Sequence, residues 1–267
     1  MCWNSSPILN NCCFRENSAN YGGGVASFGD SVTLTHCIFE KNYVFSDTWP
    51  DGGWGGGMYC HSSSVTSTNC TLGGNGNPWT GYHCYGGGLY LVHGSMSMEN
   101  CIIAFSSGSN AVDGVDCDPS MLCCDIYGNE YGDWVDCIAD QTNINGNFSA
   151  DPQFCDAASS DFSIHTSSPC AALNNACNAL IGAIGVGCAS CCVGITGNID
   201  GDTEELVDIG DVTALVAYLY VPPHQVPTCL DEANTDGDPD RLIDLGDLTR
   251  LIAYLYIPPN PPPAACQ

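Results

Sequence analysis

The sequence has very few basic side chains: four Lys and Arg residues stand against 30 Asp and Glu, which gives a formal net charge of -26 at pH 7. So little positive charge makes nucleic acid and anionic membrane surfaces unsuitable partners. The chain also lacks the ~18 continuous apolar residues that a membrane-spanning helix needs. We therefore expect no membrane insertion. No signal peptide is apparent, and we expect a fragment or a mature form that lacks its secretion signal.

Cysteine, in contrast, is abundant, with 20 residues. Their spacing is not that of a zinc site, because no Cys-x-x-Cys pair is followed by a second one and the histidines are scattered. A reducing cytosol would leave so many thiols reactive and without benefit. We predict an extracellular or cell-surface protein with several disulfides, whose pairing the sequence leaves open.

Residues 198–257 contain one unit written twice at an offset of 36 residues. The run Asn198-Ile-Asp-Gly-Asp reappears from Asn234, and the run Val207-Asp-Ile-Gly-Asp reappears from Ile243. Each copy continues into an apolar segment with helical spacing and ends in Pro-Pro, at 222–223 and 258–259. We predict two loop–helix units in which Asp211 and Asp247 are the N-caps.

The acids of each copy alternate with small residues, so their oxygens can converge on one point. Calcium takes about six to eight such oxygens in a flexible loop, so we predict two Ca²⁺ ions. Two registers are open. A loop counted from Asp200 includes Glu204, and in the second copy Asp240; a loop counted from Asn198 or Asn234 is two residues longer.

Two metal loops, each followed by a single helix ending in Tyr-Leu, resemble a dockerin, the duplicated module that docks onto cohesin domains. The resemblance covers about 195–257 and implies a cohesin-like partner. By resemblance, the ligands would be Asn198, Asp200, Asp202, Asp208 and Asp211 for one ion, and Asn234, Asp236, Asp238, Asp244 and Asp247 for the other. The chain departs from the family in its longer loop. It also carries Ile209-Gly210 and Leu245-Gly246 where dockerins usually have a small polar pair that reads the partner.

The chain before residue 189 is also repetitive. Triple glycines begin at 22, 55 and 86, and a cysteine marker recurs at 13, 37, 70, 101 and 124. Between them lie alternating runs at 31–35, 64–68 and 95–99, which predict short strands with Asn and Gly in the turns. A rung of three short strands takes roughly two dozen residues, so the period predicts a solenoid that rises one rung per repeat.

The pairing of Phe-x-x-Asn with Gly-Gly-Gly, clearest from Phe14 to Asn17 and from Phe39 to Asn42, resembles polymorphic outer-membrane protein repeats and right-handed parallel β-helices of the pectin-lyase type. The expected fold is thus mainly β: a right-handed parallel β-helix at 1–188, with 171–184 covering its last rung. A Cys-rich linker at 189–197 and a small α-helical, dockerin-like EF-hand-type domain at 198–267 follow. The vicinal pairs Cys12-Cys13 and Cys123-Cys124 should point one thiol inward and one outward.

Catalysis is not indicated. A lyase needs a cationic base, and a hydrolase needs paired carboxylates. The densest acidic cluster is Asp113, Asp116 and Asp118, followed by Asp133 and Asp136. The remaining candidates are histidines without ligand spacing and aromatic residues in insertions, where stacking on a neutral glycan or on protein and packing over the coil are both open. These are His36, His61, His83, His93 and His165, and Trp49, Trp54, Trp79, Tyr82 and Tyr85.

We expect a secreted or cell-surface structural or adhesive protein. Its calcium-stabilised module would assemble with a cohesin-like protein or with another copy of the chain. The alternatives are a polysaccharide-degrading enzyme, either a glycoside hydrolase or a lyase, targeted by the same module, and a self-assembling extracellular filament subunit.

Overall fold

The computed structural model describes residues 1–3, 5–29, 31–45, 51–77, 83–188, 191–192, 194–202, 206–227, 229–238 and 242–266. The chain forms two compact units, Met1–Cys188 and Ala189–Gln267. The first unit is mainly β-structure, and the second holds the α-helices of the described residues. None of those helices has the length and apolar character needed to cross a bilayer.

The first unit is built from short strands. In chain order they are β1 (Cys2–Trp3), β2 (Ile8–Asn10), β3 (Cys13–Arg15), β4 (Ser18–Ala19), β5 (Val25–Phe28), β6 (Ser31–Thr35), β7 (Ile38–Glu40), β8 (Tyr43–Val44), β9 (Asp51–Trp54), β10 (Met58–His61), β11 (Ser64–Thr68), β12 (Thr71–Gly73), β13 (His83–Tyr85), β14 (Leu89–Val92), β15 (Ser95–Glu99), β16 (Ile102–Ala104), β17 (Val112–Val115), β18 (Asp118–Leu122), β19 (Asp125–Tyr127), β20 (Phe154–Asp156), β21 (Asp161–His165) and β22 (Val186–Cys188).

Three parallel five-stranded sheets contain most of these strands. The first sheet has the order β1-β5-β10-β14-β17, the second β2-β6-β11-β15-β18 and the third β3-β7-β12-β16-β19. Each pass of the chain, here called a coil, therefore adds one strand to each sheet. The strands predicted at 31–35, 64–68 and 95–99 are confirmed as β6, β11 and β15.

Side chains that alternate along the strands form the core between the sheets. In the second sheet Val32, Val65 and Met96 pair in register and are buried, whereas Ser64 and Ser95 face solvent. The same core includes Phe39, Leu72 and Ile103 of the third sheet. Coils thus bury their apolar positions against the same positions of their neighbours.

Left-handed residues turn the chain at the corner between the second and third sheets. Asn11, Asn69 and Asn100 have φ of 52°, 50° and 54° there, as the asparagine pattern predicts. His36 and Cys123 take the same corner in the other coils, with φ of 51° and 54°. The corner therefore accepts other residue types when coil packing holds the backbone in place.

A column of cysteines follows this corner. Cys37, Cys70, Cys101 and Cys124 are fully buried and not disulfide-bonded, and the thiol of each donates a hydrogen bond to a backbone carbonyl at 3.3 or 3.4 Å. The prediction that Cys13 belongs to this series of cysteines is wrong. Strands β3 and β7 pair Cys13 with Ile38, so Cys12 lies next to Cys37 in the column and Cys13 faces solvent. The predicted opposition of vicinal thiols is confirmed in this pair.

The predicted Phe-x-x-Asn pattern has a clear structural role. The side-chain amide of Asn17 donates to Asn42 Oδ1 at 3.0 Å, and that of Asn42 donates to Asn75 Oδ1 at 3.0 Å. Each amide also satisfies backbone groups of the turn, as Asn75 Nδ2 does by donating to Phe39 O. In the next coil, Ser106 takes the position and Asn129 Oδ1 accepts from its backbone amide.

The triple glycines stack at the entry to the first sheet. Gly23 and Gly56 lie so close to the next coil that a Cβ on either would meet a backbone oxygen, of Gly56 and of Gly87 respectively, at 2.5 and 2.6 Å. The glycines are therefore needed for close approach of coils as well as for turning.

The last coil is covered by residues 134–147, and the cap predicted at 171–184 is wrong. A 3₁₀ helix at Asp136–Gln141 packs Ile138 into the core, and Gln141 pairs with the backbone of β18 through Met121 N and Pro119 O. Residues 170–183 instead run along the outside of the third sheet. There Gly182 N donates to Asn100 O and Ile181 packs beside Ile102.

Strands β20, β21 and β22 form a small mixed sheet within the segment that folds back. It lies against the outer face of the third sheet, where Phe162 fills the space above Gly73. The buried carboxylate of Glu40 binds this segment through Ser160 Oγ, and it also pairs with Arg15 Nε and, at 3.6 Å, with Lys41 Nζ.

The predicted disulfides are present as five cysteine pairs: Cys117–Cys137, Cys123–Cys177, Cys155–Cys188, Cys191–Cys229 and Cys192–Cys266. The first attaches the 134–147 cover to a coil, the second attaches the folded-back segment to a coil, and the third joins β20 to β22 within that segment. The last two lie in the second unit. The ten other cysteines are not disulfide-bonded, and most of them are buried, so disulfides account for only half of the cysteine content.

The second unit contains α1 (Ile209–Tyr220) and α2 (Leu245–Tyr256), and a 3₁₀ helix at Leu230–Ala233. Both α-helices end just before Pro-Pro, as predicted. Their facing apolar side chains, including Leu215 and Leu251, form a core with Ile199 and Ala233. The two chain ends of the unit are joined by the Cys192–Cys266 disulfide and by a bridge between Ile195 and Ala265.

Candidate functional site

Each α-helix of the second unit begins three residues earlier than the sequence predicts. The N-caps are Asp208 and Asp244, not Asp211 and Asp247. Asp208 Oδ1 accepts from Gly210 N at 2.6 Å, and Asp211 Oδ2 accepts in return from Asp208 N at 2.7 Å. The run Asp-x-Gly-Asp is therefore a capping box, in which the third helical residue reaches back to the cap.

Asp211 also holds the start of its loop. Its Oδ1 accepts from Ile199 N at 2.7 Å and from Asp200 N at 3.1 Å, so one buried carboxylate joins the two ends of the loop. Asp247 repeats this with Asp236 N at 3.2 Å and Asp244 N at 2.9 Å. Burial raises the pKa of Asp211 and of Asp247, and the backbone donors oppose that rise.

Two carboxylates of each loop converge over a glycine. Asp200 Oδ2 and Asp208 Oδ1 both lie against the point where a Cβ on Gly210 would stand. Asp236 and Asp244 crowd Gly246 in the same way. Neither glycine is needed for its backbone angles, because neither has a positive φ. Their role is to leave room for the converging carboxylates.

The amide residue that opens the first loop presents an unused oxygen. Asn198 Nδ2 donates to Asp202 O at 3.1 Å, while Asn198 Oδ1 is buried without a hydrogen-bond partner. In the second loop Asn234 Nδ2 donates to Asp238 O at 3.3 Å, but its Oδ1 accepts from Gly237 N at 3.0 Å. A buried oxygen without a donor is costly unless another positive group binds it.

The structure thus brings together Asn198, Asp200, Asp208 and Asp211 in one loop and their counterparts in the other. The backbone amide of Asp202 donates a hydrogen bond to the carboxylate of Asp200, and that of Asp238 donates one to Asp236, both at 3.1 Å. These bonds keep Asp202 and Asp238 inside the turns of their loops. Glu204 and Asp240, on which the alternative register depends, lie outside the described residues. Carboxylate and amide oxygens of this kind are the donors that Ca²⁺ prefers.

Two further groups of side chains in the second unit bring sulfur and carboxylate atoms within 4.8 Å: Cys191, Cys229 and Asp231, and Cys192, Glu232 and Cys266. The cysteines of each group form a disulfide, which leaves no thiolate for a metal. Glu232 accepts from Asn198 N at 3.1 Å, so its carboxylate ties the second repeat to the first loop. No feature of the sequence pointed to this contact.

Large apolar side chains are exposed at equivalent positions of the two repeats. Ile209 and Leu245 are 58% and 61% exposed, and Tyr220 and Tyr256 are 55% and 58% exposed. The pairs Leu206 and Leu242, and Val221 and Ile257, repeat the pattern. Exposed apolar groups at the same places in both copies are of the kind that marks interaction surfaces.

In the first unit, Asp116 Oδ2 pairs with His93 Nδ1 at 3.0 Å, which the sequence did not indicate. Asp113 accepts from Gly114 N, and burial raises its pKa. Asp133 is engaged by backbone amides of the turn at 128–129 and by Ser149. Asp136 accepts from the side chain of Asn110. The two acidic clusters therefore serve mostly local hydrogen bonds.

Two of the candidate aromatic residues, Trp54 and Tyr85, are described by the structure, and they stack on each other. The ring of Trp54 stacks between Tyr21, at 5.1 Å, and Tyr85, at 6.4 Å. Since neighbouring rings cover one another's faces, packing over the coil explains Trp54 and Tyr85. Trp49, Trp79 and Tyr82 lie outside the described residues. His61 packs edge-on to His93 at 6.2 Å, and His165 bonds Ser167 Oγ at 2.7 Å.

Comparison of the chain with protein-family models, curated protein sequences and solved structures gave no match.

Proposed function

We propose that this chain is an extracellular scaffold, a right-handed parallel β-helix that carries a calcium-stabilised, dockerin-like module for assembly with another protein. The observation that carries the proposal is the convergence of Asp200 and Asp208 over Gly210, repeated by Asp236 and Asp244 over Gly246. Two carboxylates that crowd the same point repel each other, and a cation bound between them would turn that repulsion into attraction.

The β-helix is supported by the topology of the first unit. Three parallel sheets that each receive one strand per coil, with stacked glycines and an asparagine column at the turns, are what such a solenoid requires. An extracellular location is supported by the five disulfides, because disulfides persist mainly in oxidising compartments.

Two Ca²⁺ ions fit the oxygen donors of the loops. Asn198, Asp200, Asp202, Asp208 and Asp211 would hold one, and Asn234, Asp236, Asp238, Asp244 and Asp247 the other. The unpartnered Asn198 Oδ1 is the clearest support, because the ion would supply its missing positive partner. The carboxylates of Asp211 and Asp247 already accept hydrogen bonds from backbone amides, and their remaining oxygen lone pairs would bind the ion.

The docking surface would include the exposed residues beside the loops. Ile209 and Leu245 stand where dockerins read their partner, and both are apolar. The second unit, with 13 acids and two bases, Arg241 and Arg250, would favour an apolar partner surface with a basic rim. A cohesin-like protein with such a surface is the proposed partner.

Calorimetric titration of the full chain with Ca²⁺ tests this function. We expect about two sites per chain, with one lost in Asp200→Ala and the other in Asp236→Ala. Asp231→Asn, a carboxylate outside both loops, is the matched control and should keep both sites. Binding to a panel of cohesin domains should require Ca²⁺ and weaken in Ile209→Asp. Absence of calcium binding by the folded wild-type chain would contradict the proposal.

A filament built by stacking coil ends is the less favoured alternative. The last coil packs against residues 134–147, and Cys137 of that cover is disulfide-bonded to Cys117. In the part of the chain that the structure describes, this cover hinders the pairing of the last coil with a second chain.

A further inference from the structure

Three polar side chains lie in line at the corner between the first and second sheets. Ser62, His93 and Asp116 follow β10, β14 and β17, which are neighbours in the first sheet. All three have left-handed backbone, with φ of 50°, 50° and 49°. Ser62 N donates to Val92 O at 2.8 Å and His93 N donates to Val115 O at 2.9 Å, so the three corners are in register.

His93 lies in the coil between the coils of Ser62 and Asp116. Its Nδ1 is 3.0 Å from Asp116 Oδ2, in the coil on one side. Because Asp116 engages Nδ1, Nε2 is the ring nitrogen left to act on a substrate or on a neighbouring hydroxyl. Neighbouring strands are about 4.8 Å apart, and Ser62 and His93 line the same groove, so Ser62 is the hydroxyl residue of the adjacent coil nearest in register to His93.

The corner opens into a groove of about 480 Å³. Hydroxyls and a carboxylate continue along its floor: Ser95 Oγ donates to Ser64 Oγ at 3.0 Å, and Asp118 follows in the next coil. Such a lining suits a hydroxyl-rich ligand, and its acidity disfavours an anionic one. His93 and Asp116 are exposed, with 56% and 76% of their side chains accessible.

We propose that this groove is a hydrolytic site for carboxylic esters of neutral, hydroxyl-rich alcohols, with Ser62 as nucleophile, His93 as general base and Asp116 as the residue that positions His93. The parts required are a nucleophile, a base beside it and a group that orients the base. This site is independent of the calcium loops, so it stands or falls separately from the assembly function.

In the first half-reaction, Ser62 Oγ bonds to the carbonyl carbon of the ester and its proton passes to His93 Nε2. The bond from that carbon to the alcohol oxygen breaks, and the alcohol leaves with the proton from Nε2. Water then attacks the acyl-serine, giving one proton to Nε2 and releasing the acid, and that proton returns to Ser62 Oγ. The sum is ester plus water giving acid plus alcohol.

The test treats the full chain with a fluorophosphonate probe and maps the modified peptide by mass spectrometry, and it also follows p-nitrophenyl acetate hydrolysis. We expect modification at Ser62, abolished in Ser62→Gly. Glycine removes the hydroxyl and keeps the left-handed corner without strain, so loss of folding cannot explain the result. His93→Gln should reduce labelling and kcat/KM by about 100-fold or more.

Asp116→Asn tests positioning through the separate responses of kcat and KM. We expect the asparagine variant to lower kcat more than it changes KM, because Asp116 would orient the base and not contact the ester. Two controls should behave as wild type: His36→Gln, a left-handed corner histidine on the other side of the second sheet, and Ser97→Ala, an exposed serine outside the groove. No labelling, labelling at another residue, or full activity in Ser62→Gly would overturn the proposal.

Discussion

The carboxylate of Asp200 lies directly against Gly210, in the first turn of α1. The two residues are ten positions apart and belong to opposite ends of one acidic loop. Because the glycine has an ordinary helical backbone, alanine would normally be preferred there by about 1 kcal/mol. The contact with Asp200 therefore makes glycine more favourable than alanine at position 210.

Replacing Gly210 with alanine should weaken calcium binding at the first loop by at least about tenfold and lower stability by about 1–3 kcal/mol, since the new methyl group displaces Asp200. Calorimetry and thermal unfolding measure both effects. Gly210→Ala made in an Asp200→Ala background is the matched control and should no longer destabilise, because the crowded carboxylate is gone. A single variant with higher Tm and unchanged calcium affinity would contradict this account.

The stability of the first unit should fall as pH rises toward and through 7, because of Asp125. Burial raises the pKa of this side chain to about 7, although Ala150 N and the Cys170 thiol donate to it. An unfolded aspartate releases its proton near ~3.9, so between these values the folded chain keeps a proton that the unfolded chain has lost. This contribution is present at low pH and is lost as the folded carboxyl ionises, by up to about 4 kcal/mol.

Thermal unfolding of Asp125→Asn from pH 4 to 8 checks this expectation. The variant should be more stable than the wild type above pH 7 and should show a weaker decline with pH. Asp118→Asn, at an exposed position, should keep the wild-type dependence. Identical pH slopes for Asp125→Asn and the wild type would show that Asp125 does not carry the effect.

The ion pairs around Glu40 should be unequal in their effects. The carboxylate is fully buried, whereas Arg15 and Lys41 retain 48% and 32% exposure of their side chains. Arg15→Gln leaves a buried charge with less compensation, while Glu40→Gln removes the charge and keeps an acceptor for Ser160. We expect the arginine variant to lower Tm more than the glutamate variant, and the double variant to recover part of the loss. Equal losses would argue against this asymmetry.

Thiol reactivity should separate the buried column from the surface. In the native chain, iodoacetamide should modify exposed Cys13 first and leave Cys37, Cys70, Cys101 and Cys124 unmodified. Burial and the neighbouring thiol raise the pKa of Cys101, which further protects it. Unfolding without reductant should expose ten thiols, counted by intact mass. Cys13→Ser removes the fastest modification and is the control; rapid native alkylation of Cys70 would contradict the structure.

Local patterns predicted the parts of the fold that depend on local physics. Alternation at 31–35, 64–68 and 95–99 located strands, and Pro-Pro located both helix ends. The N-caps were misplaced by three residues although the sequence contains the signal, an Asp three positions before Asp211. That signal is the capping box itself, in which Asp208 caps the helix and Asp211 reaches back to it.

Register and long-range packing were beyond the sequence. Cys12 and Cys13 are adjacent and identical, so only the pairing of Phe14 with Phe39 shows which thiol faces the core. Likewise, residues 170–183 have an apolar composition that suits either an open rung or the outer face of a sheet. The position of Ile138 in the last coil decided between them.

The sequence by itself determined the repeating strands, the excess of negative charge and the duplicated acidic loops, because spacing and charge are properties of the chain alone. It also indicated that disulfides form, although only half of the cysteines take part in them. The tertiary structure decided which thiols pair, which carboxylates converge and where His93 meets Asp116. Those contacts join residues that are far apart in the chain, and they exist only after the coils stack and the loops close around their glycines.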